Sequence, residues 1–499
     1  MDKKILIGVA SGKMTPNGKF PLCGQFHTRI STHVESELYA NCVAFDSGEN
    51  QLIICSLDIE GIGISLYRKI GEMVEARCPE IDADAMILCG THIHTGPSGG
   101  GVGADHEEAC GLHAALPFLP EGYSFRDYEW ENRGEGVLDQ EEILEQLAAS
   151  VSDTIVTAWE NRAPGYFGGA FGRAVLAHQR RVVYNDGTAK MYGNTWTSTF
   201  DRMEGGTDTG VELLYLFNAE EKPIGALVNV PCPSQVVEMA CYISSDYWGK
   251  ARDILQEKLG KDFVTIGMCS PAGDLSVRDQ VRLDRAAVGG KSEGKNRPRR
   301  EDAQIMSDIR GAKELGRRVA NVVLEKLDEG FANKKDSGFL ETRVVHLDLP
   351  VRKVTPTEYE EAKRSYAEAL VELGMKKITP WQMQAIHVQG GTMHRYNMQE
   401  KHHIFQTDII ISRLDDMAFA TSPFELFLDF GNRIRARSWA AQTFLAQLSN
   451  DEAGYLPSAL AEKGGHYSAY VSSGIVGHEG GDVLVEKTVA VINELFDEE

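Results

Sequence analysis

Two histidines one residue apart, His92 and His94, lie in Cys89-Gly-Thr-His-Ile-His-Thr-Gly-Pro97, where the apolar run Ala85 to Leu88 gives way to a Gly-Pro turn. Residues two apart on a strand point the same way, so both imidazoles can face one cavity if the extended geometry persists to the turn. Such a pair suits a metal site, because imidazole is a common zinc ligand. On spacing alone it equally suits hydrogen bonding to loop carbonyls, since His-x-His is a short pattern with many accidental matches.

Thr91-His-Ile-His-Thr-Gly-Pro97 resembles the Thr-His-Thr-His-Ser-Gly-Pro signature of the neutral/alkaline ceramidase family, zinc amidases that hydrolyse N-acyl bonds of sphingolipids. Four further segments resemble the family's in the same order. They are Ser244-Ser-Asp-Tyr-Trp-Gly249, Cys269-Ser-Pro-Ala-Gly-Asp274, Ser422-Pro-Phe-Glu-Leu-Phe-Leu-Asp-Phe-Gly431, and Asn450-Asp-Glu-Ala-Gly-Tyr-Leu-Pro457 followed by Gly465-His-Tyr467. The ordered set runs from about Gly8 to Tyr467 and is far more specific than any member.

The resemblance implies one zinc per chain, with His92, Glu425 and Tyr455 among its ligands, and Tyr467 bonding to the developing oxyanion. The family's second histidine ligand stands fourteen residues before the aspartate of a Ser-Gly-Asp or Ser-Ala-Asp motif. The same count back from Asp246 lands on Cys232, in Val230-Pro-Cys-Pro-Ser-Gln235. Cys232 is therefore expected as the remaining ligand, a thiolate being competent for zinc though it would make bound water less acidic. The other reading of Cys232 is a small buried hydrophobe. His94 is placed either to pass a proton to the leaving amine or to hold the loop by a hydrogen bond. Asp246 and Asp274 either orient ligands or cap the helices that follow, and capping is favoured because Asp246 sits where an N-cap belongs. Arg173, Arg180 and Arg181 could hold an anionic substrate group or form surface ion pairs.

The reaction so implied is attack of metal-activated water on an amide carbonyl. No apolar tunnel or membrane-docking surface can be named, so a small, polar N-acyl substrate is expected rather than a ceramide. Two other readings stand beside it: a metal-dependent isomerase or lyase, or an ester or lactone hydrolase, acting on a carbohydrate-like substrate; and a ligand-binding relative without turnover. A candidate gate between Ser98 and Asp139 carries Gly99-Gly-Gly-Val-Gly103, His106, His113, Tyr123, Phe125, Tyr128 and Trp130.

Composition narrows the setting. The 499 residues can bury a large core, and 42% hydrophobic with 25% charged content is ordinary for a soluble globular protein. A formal net charge of −22 argues against nucleic acid and anionic membrane surfaces as partners, leaving small molecules. No apolar run of about 18 residues appears, so no membrane span is expected. The N-terminal apolar run is broken by Ser11 and Lys13, unlike a signal-peptide core. Nine cysteines without CxxC spacing fit reduced thiols and a cytoplasmic location. Homo-oligomerisation is compatible with such a chain.

To position these residues the sequence offers alternating strand and helix patterns. Strands are expected at Ile5 to Ala10, Tyr39 to Phe45, Leu52 to Leu57, Val211 to Phe217, Ile224 to Val230, Phe263 to Met268, Phe405 to Ile411, Met417 to Thr421 and Thr443 to Leu448. Asn185-Asp-Gly187 predicts a hairpin joining Arg181–Tyr184 to Ala189–Tyr192. Helices are expected over Ser65 to Ala76, Asp139 to Trp159, Asp246 to Leu259, Ala303 to Gly330, Thr357 to Leu373, Glu425 to Arg437 and Asp482 to Phe496. The cationic run 287–302 reads as a flexible polar loop or a lid. The fold class is mixed α/β: one large catalytic domain over 1–499, its mixed sheets flanked by helices, with no room for the C-terminal immunoglobulin-like domain of larger ceramidases.

Overall fold

Strands such as Tyr39–Asp46, Gln51–Leu57 and Val264–Cys269 bury residues on both faces, which forces cover on both sides of any sheet they join. A computed structural model describes residues 3–25, 28–100, 135–282, 305–373 and 380–497 and shows how that cover is supplied. Both the polar run 287–302 and residues 101–134 of the candidate gate lie outside the described residues.

The larger sheet has eight strands in the order Val264–Cys269, Pro223–Val230, Gly210–Asn218, Ala163–Arg173, Leu6–Lys13, Tyr39–Asp46, Gln51–Leu57, Ile87–Gly90. Its interior pairings are antiparallel and its two outermost pairings parallel. Each outer strand returns after a helix, Asp246–Leu259 on one side and Ile64–Arg77 on the other. A second sheet of four strands runs Leu340–Pro350, Ile404–Leu414, Met417–Ser422, Gln442–Gln447.

The inner faces of the two sheets meet in one apolar block that includes Phe45, Ile54, Phe167, Leu214, Ile266, Phe419 and Phe444. The outer face of the larger sheet is covered by Ile64–Arg77 and Gln140–Glu160 over one half and by Asp246–Leu259 and Ile309–Ala332 over the other. Helices Leu428–Arg437 and His478–Asp497 cover the second sheet. Among the described residues no helix is long and apolar enough to cross a membrane, and the eight cysteines are all free thiols.

The expected mixed α/β domain is what the chain forms, with four informative differences. The expected helix over Glu425 to Arg437 begins only at Leu428, because Glu425–Leu426 pairs in parallel with Tyr455–Leu456. Ala163–Arg173, eleven residues long and central in the larger sheet, carries too many glycines to read as a strand. Leu340–Pro350 is an edge strand in which charged residues mask the alternation. Helix Ile309–Ala332 starts later than Ala303, with 303–304 outside the described residues.

Phe419 stacks on Phe444 at 4.8 Å between centroids, both fully buried between the sheets. Phe419→Ala should lower unfolding stability by about 3–5 kcal/mol in urea titration, because the site cannot collapse around the void. A loss below about 1 kcal/mol would show that the two sheets are not packed through this pair.

Candidate functional site

Backbone hydrogen bonds draw the functional segments together from distant parts of the chain. Ser234 N bonds to His92 O at 3.2 Å, Asn450 N to Leu88 O at 3.2 Å, Gly273 N to Leu426 O at 2.9 Å, and Glu425 N to Gly454 O at 2.9 Å. The strand geometry assumed for the histidine pair does not persist. Strand Ile87–Gly90 ends before it, and His92 has φ 61°, a left-handed conformation that costs a non-glycine residue energy. Thr91 N and His92 N hold this turn by bonding to Leu57 O and Ile59 O. The two rings nevertheless share one cavity, edge to face at 5.1 Å. His94 packs directly on Gly24, where a Cβ would stand 2.3 Å from the ring.

Around the rings the structure gathers Glu425, Tyr455, Tyr467, Arg180, Glu60 and Gln235. Glu425 Oε2 lies 3.6 Å from His92 Nε2 and 3.9 Å from Arg180 Nη2. Arg180, 3% exposed, donates to Tyr455 Oη at 3.2 Å and to Gly273 O at 2.7 Å. The Tyr455 and Tyr467 rings meet edge to face at 5.4 Å, and the Tyr455 hydroxyl is hydrogen-bonded with both Glu425 and Tyr467. Glu60 Oε1 lies 3.7 Å from His94 Nε2, and the Cys23 thiol donates to Glu60. Gln235 Nε2 is 3.0 Å from His94 Nε2 and 3.4 Å from His92 Nε2.

The remaining expected residues fall elsewhere. Cys232 belongs to the apolar block beneath helix Asp246–Leu259, with its Sγ against Pro233 O at 3.5 Å; the side chain that reaches the histidines from this loop is Gln235. Asp246 begins that helix at φ 49° and accepts from Val237 N at 3.0 Å and Tyr247 N at 2.7 Å, so it ties the Gln235 loop to the helix. Asp274 accepts from Leu428 N at 2.8 Å, at the start of helix Leu428–Arg437, and from Gln179 Nε2 at 2.7 Å. Arg173 lies at a strand end, 3.4 Å from Thr209 Oγ1 and beside the Phe171 ring. Arg181 is fully buried, paired with Glu204, and donates to Tyr467 O at 3.1 Å and Gly465 O at 2.8 Å, which holds the segment bearing Tyr467.

Glu60, Gln235 and the place of Arg180 beside Glu425 were not legible in the sequence. The one clue lay in position, since Glu60 follows a buried strand and Gln235 follows a Pro-Cys-Pro turn.

Burial sets the electrostatics. It pushes the Glu425 carboxyl up to about 7, with Arg180 and Tyr455 holding it back. Glu60 is raised to about 8 by burial and the neighbouring Glu452, and Glu452 to about 7 by burial and Asp451. Burial lowers His92 to about 4, and takes His94 well below the ordinary histidine value with His92 adding to the effect. Burial and the nearby Glu425 keep both tyrosines protonated. At neutral pH the site therefore holds neutral imidazoles, neutral phenols and a carboxyl able both to give and to take a proton.

The expected single zinc is not supported. Among the described residues no group of three or more His, Cys, Asp or Glu side chains is arranged to hold a metal ion. Two local facts explain this: the Cys232 thiol is turned into the apolar block, and a carboxamide nitrogen stands where the Nε2 atoms of His92 and His94 converge. The donor set does not fit the cofactor that the motif implied.

The architecture is a mixed α/β fold in which two sheets are flanked by helices, and solved structures share it. The chain is similar to neutral ceramidase from Pseudomonas aeruginosa, at a TM-score of 0.65 and 16% identity over 99% of this chain and 75% of that one. It is similar also to a ceramidase complexed with C2, at a TM-score of 0.66 and 14% identity over 99% and 76%. At these identities the likeness is one of fold. No family model and no curated protein sequence matches the chain.

The raised carboxyls make stability depend on pH. Glu60, Glu425 and Glu452 keep their protons in the folded state up to about 7–8, whereas unfolded glutamates release theirs near 4.5. The folded state thus binds more protons across that window, and stability is lost as pH rises through it. Glu60→Gln should flatten the fall in melting temperature between about pH 4.5 and pH 8 and melt above wild type at the alkaline end. Parallel wild-type and variant curves would remove Glu60 as a source of the dependence.

Proposed function

We propose that the chain is a hydrolase of an amide (N-acyl) bond in a small, polar substrate. The observation that carries this reading is Glu425, raised to about 7, set within 3.6 Å of His92 Nε2 and flanked by Arg180 and two tyrosine hydroxyls. The fold shared with two ceramidases supports the reaction class.

His92 Nδ1 lies 2.9 Å from Glu60 O, and a carbonyl only accepts, so the ring's proton is on Nδ1 and Nε2 is a bare lone pair. In the proposed reaction His92 Nε2, or ionised Glu425, takes a proton from water as its oxygen attacks the substrate carbonyl. The Tyr467 hydroxyl and the Arg180 side donate to the developing oxyanion, a term of roughly 3–4 kcal/mol for each well-placed donor. The tetrahedral centre then collapses, the C–N bond breaks, and the proton held on the acid/base pair passes to the leaving nitrogen. Glu60 and Glu425 are the partly exposed walls of the site, while the Arg29 head is spent on the carbonyls of Glu238, Ala240, Cys23 and His94. An acidic, hydrogen-bonding wall suits a polar substrate better than a long acyl chain. A cytoplasmic setting belongs to this reading, with the free Cys23 thiol resting against Glu60.

A panel of N-acyl amino acids, N-acyl amines and N-acyl amino sugars, followed by amine release, tests it. Some member should be turned over, with Glu425→Gln and Tyr467→Phe each lowering kcat by about 10²- to 10⁴-fold at unchanged circular dichroism. Turnover of esters alone, or variants as active as wild type, would overturn the assignment.

A further inference from the structure

The point at which the two imidazole lone pairs converge is filled by the protein itself. Gln235 Nε2 stands 3.0 Å from His94 Nε2 and 3.4 Å from His92 Nε2, in a side chain 3% exposed. A carboxamide nitrogen carries two hydrogens and accepts nothing, whereas its oxygen only accepts. Because Glu60 O fixes the His92 proton on Nδ1, His92 Nε2 can only accept. Turning the amide round would set its oxygen against that lone pair. The nitrogen therefore faces the rings, with one hydrogen for each.

The second hydrogen requires a bare Nε2 on His94 as well, which places that ring's proton on Nδ1. Among the described residues His94 Nδ1 is buried without a hydrogen-bond partner of good geometry, beside the Gly24 backbone and 3.9 Å from Glu238 Oε2. Gln235 Oε1 is likewise buried without a partner among the described residues. An unsatisfied buried acceptor is costly, so the amide is held in this sense by what its nitrogen does.

We infer that Gln235 is a positioning residue that gives one amide hydrogen to each imidazole and holds His92 and His94 as paired proton acceptors, both protonated at Nδ1. The bond to His92 is the longer one and the one that an incoming water displaces, while the bond to His94 keeps the amide in register. The catalytic consequence rests on the hydrolase reading above; the protonation pattern does not.

The test is ¹⁵N NMR of protein labelled at histidine, with the two rings assigned by His92→Gln and His94→Gln. Wild type at pH 7 should show both rings as the Nδ1–H tautomer with an unprotonated Nε2. Gln235→Glu, which replaces the donor by a carboxylate of the same shape, should move a proton onto Nε2 of at least one ring. Gln235→Leu should leave His92 as it was, since Glu60 O still holds it, and release His94 from a single tautomer. An Nε2–H signal from His94 in wild type overturns the inference, whether or not the variants fold. So does a Gln235→Glu spectrum with both rings still protonated only at Nδ1. A protein with the expected spectrum that cleaves no amide sinks the hydrolase reading and leaves the inference intact.

Discussion

The Arg180 guanidinium is the charge around which the site is arranged. It lies almost wholly out of water and is held from several sides, by Gly273 O, the Tyr455 hydroxyl and the carboxyl of Glu425, its Nε alone finding no hydrogen bond among the described residues. A buried, permanently charged group tolerates no loss of partners, since removing one leaves a desolvated charge that costs several kcal/mol. That requirement couples three remote segments: the loop after strand Val264–Cys269, the turn before helix Leu428–Arg437, and the strand at Tyr455–Leu456. Its neighbour Arg181 does the same for the segment that carries Tyr467, through carbonyls rather than side chains.

These cations are turned to Glu425, Glu204 and protein carbonyls rather than to Glu60 and Glu452. Burial, with Glu452 acting on Glu60 and Asp451 on Glu452, raises Glu60 to about 8 and Glu452 to about 7. The imidazoles respond in the opposite sense, losing protons for the same dielectric reason. A single cause, exclusion of water, thus supplies neutral acids next to neutral bases, the condition under which protons move with little reorganisation.

The sequence carried much of the architecture and part of the site. Strands with continuous apolar character and the hairpin with the Asn185-Asp-Gly187 turn were legible because their signals are local. Ala163–Arg173 was not, because its glycines serve close approach: a Cβ at Gly168 would stand 2.0 Å from Gly330 O and one at Gly172 2.3 Å from Val322. That is a tertiary demand invisible to strand propensity. His92, Glu425, Tyr455 and Tyr467 could be picked out by motif, and the fold brings them together. A count along the chain placed Cys232 at the histidines, but the loop turns its thiol inward and sends Gln235 there instead. Spacing fixes how far along the chain a residue lies, not which way a turn presents it. The metal assignment went astray at the same turn.

The short parallel pairing of Glu425–Leu426 with Tyr455–Leu456 has an evolutionary side. Side chains alternate on a strand, so an insertion or deletion of one residue inside either partner would send the acid or the phenol to the opposite face. The intervening stretch, with its helix and strand Gln442–Gln447, is under no such restriction at its turns. Descendants of this chain are therefore free to drift in length at the turn between helix Leu428–Arg437 and strand Gln442–Gln447, while the two dipeptides must be inherited without a gap.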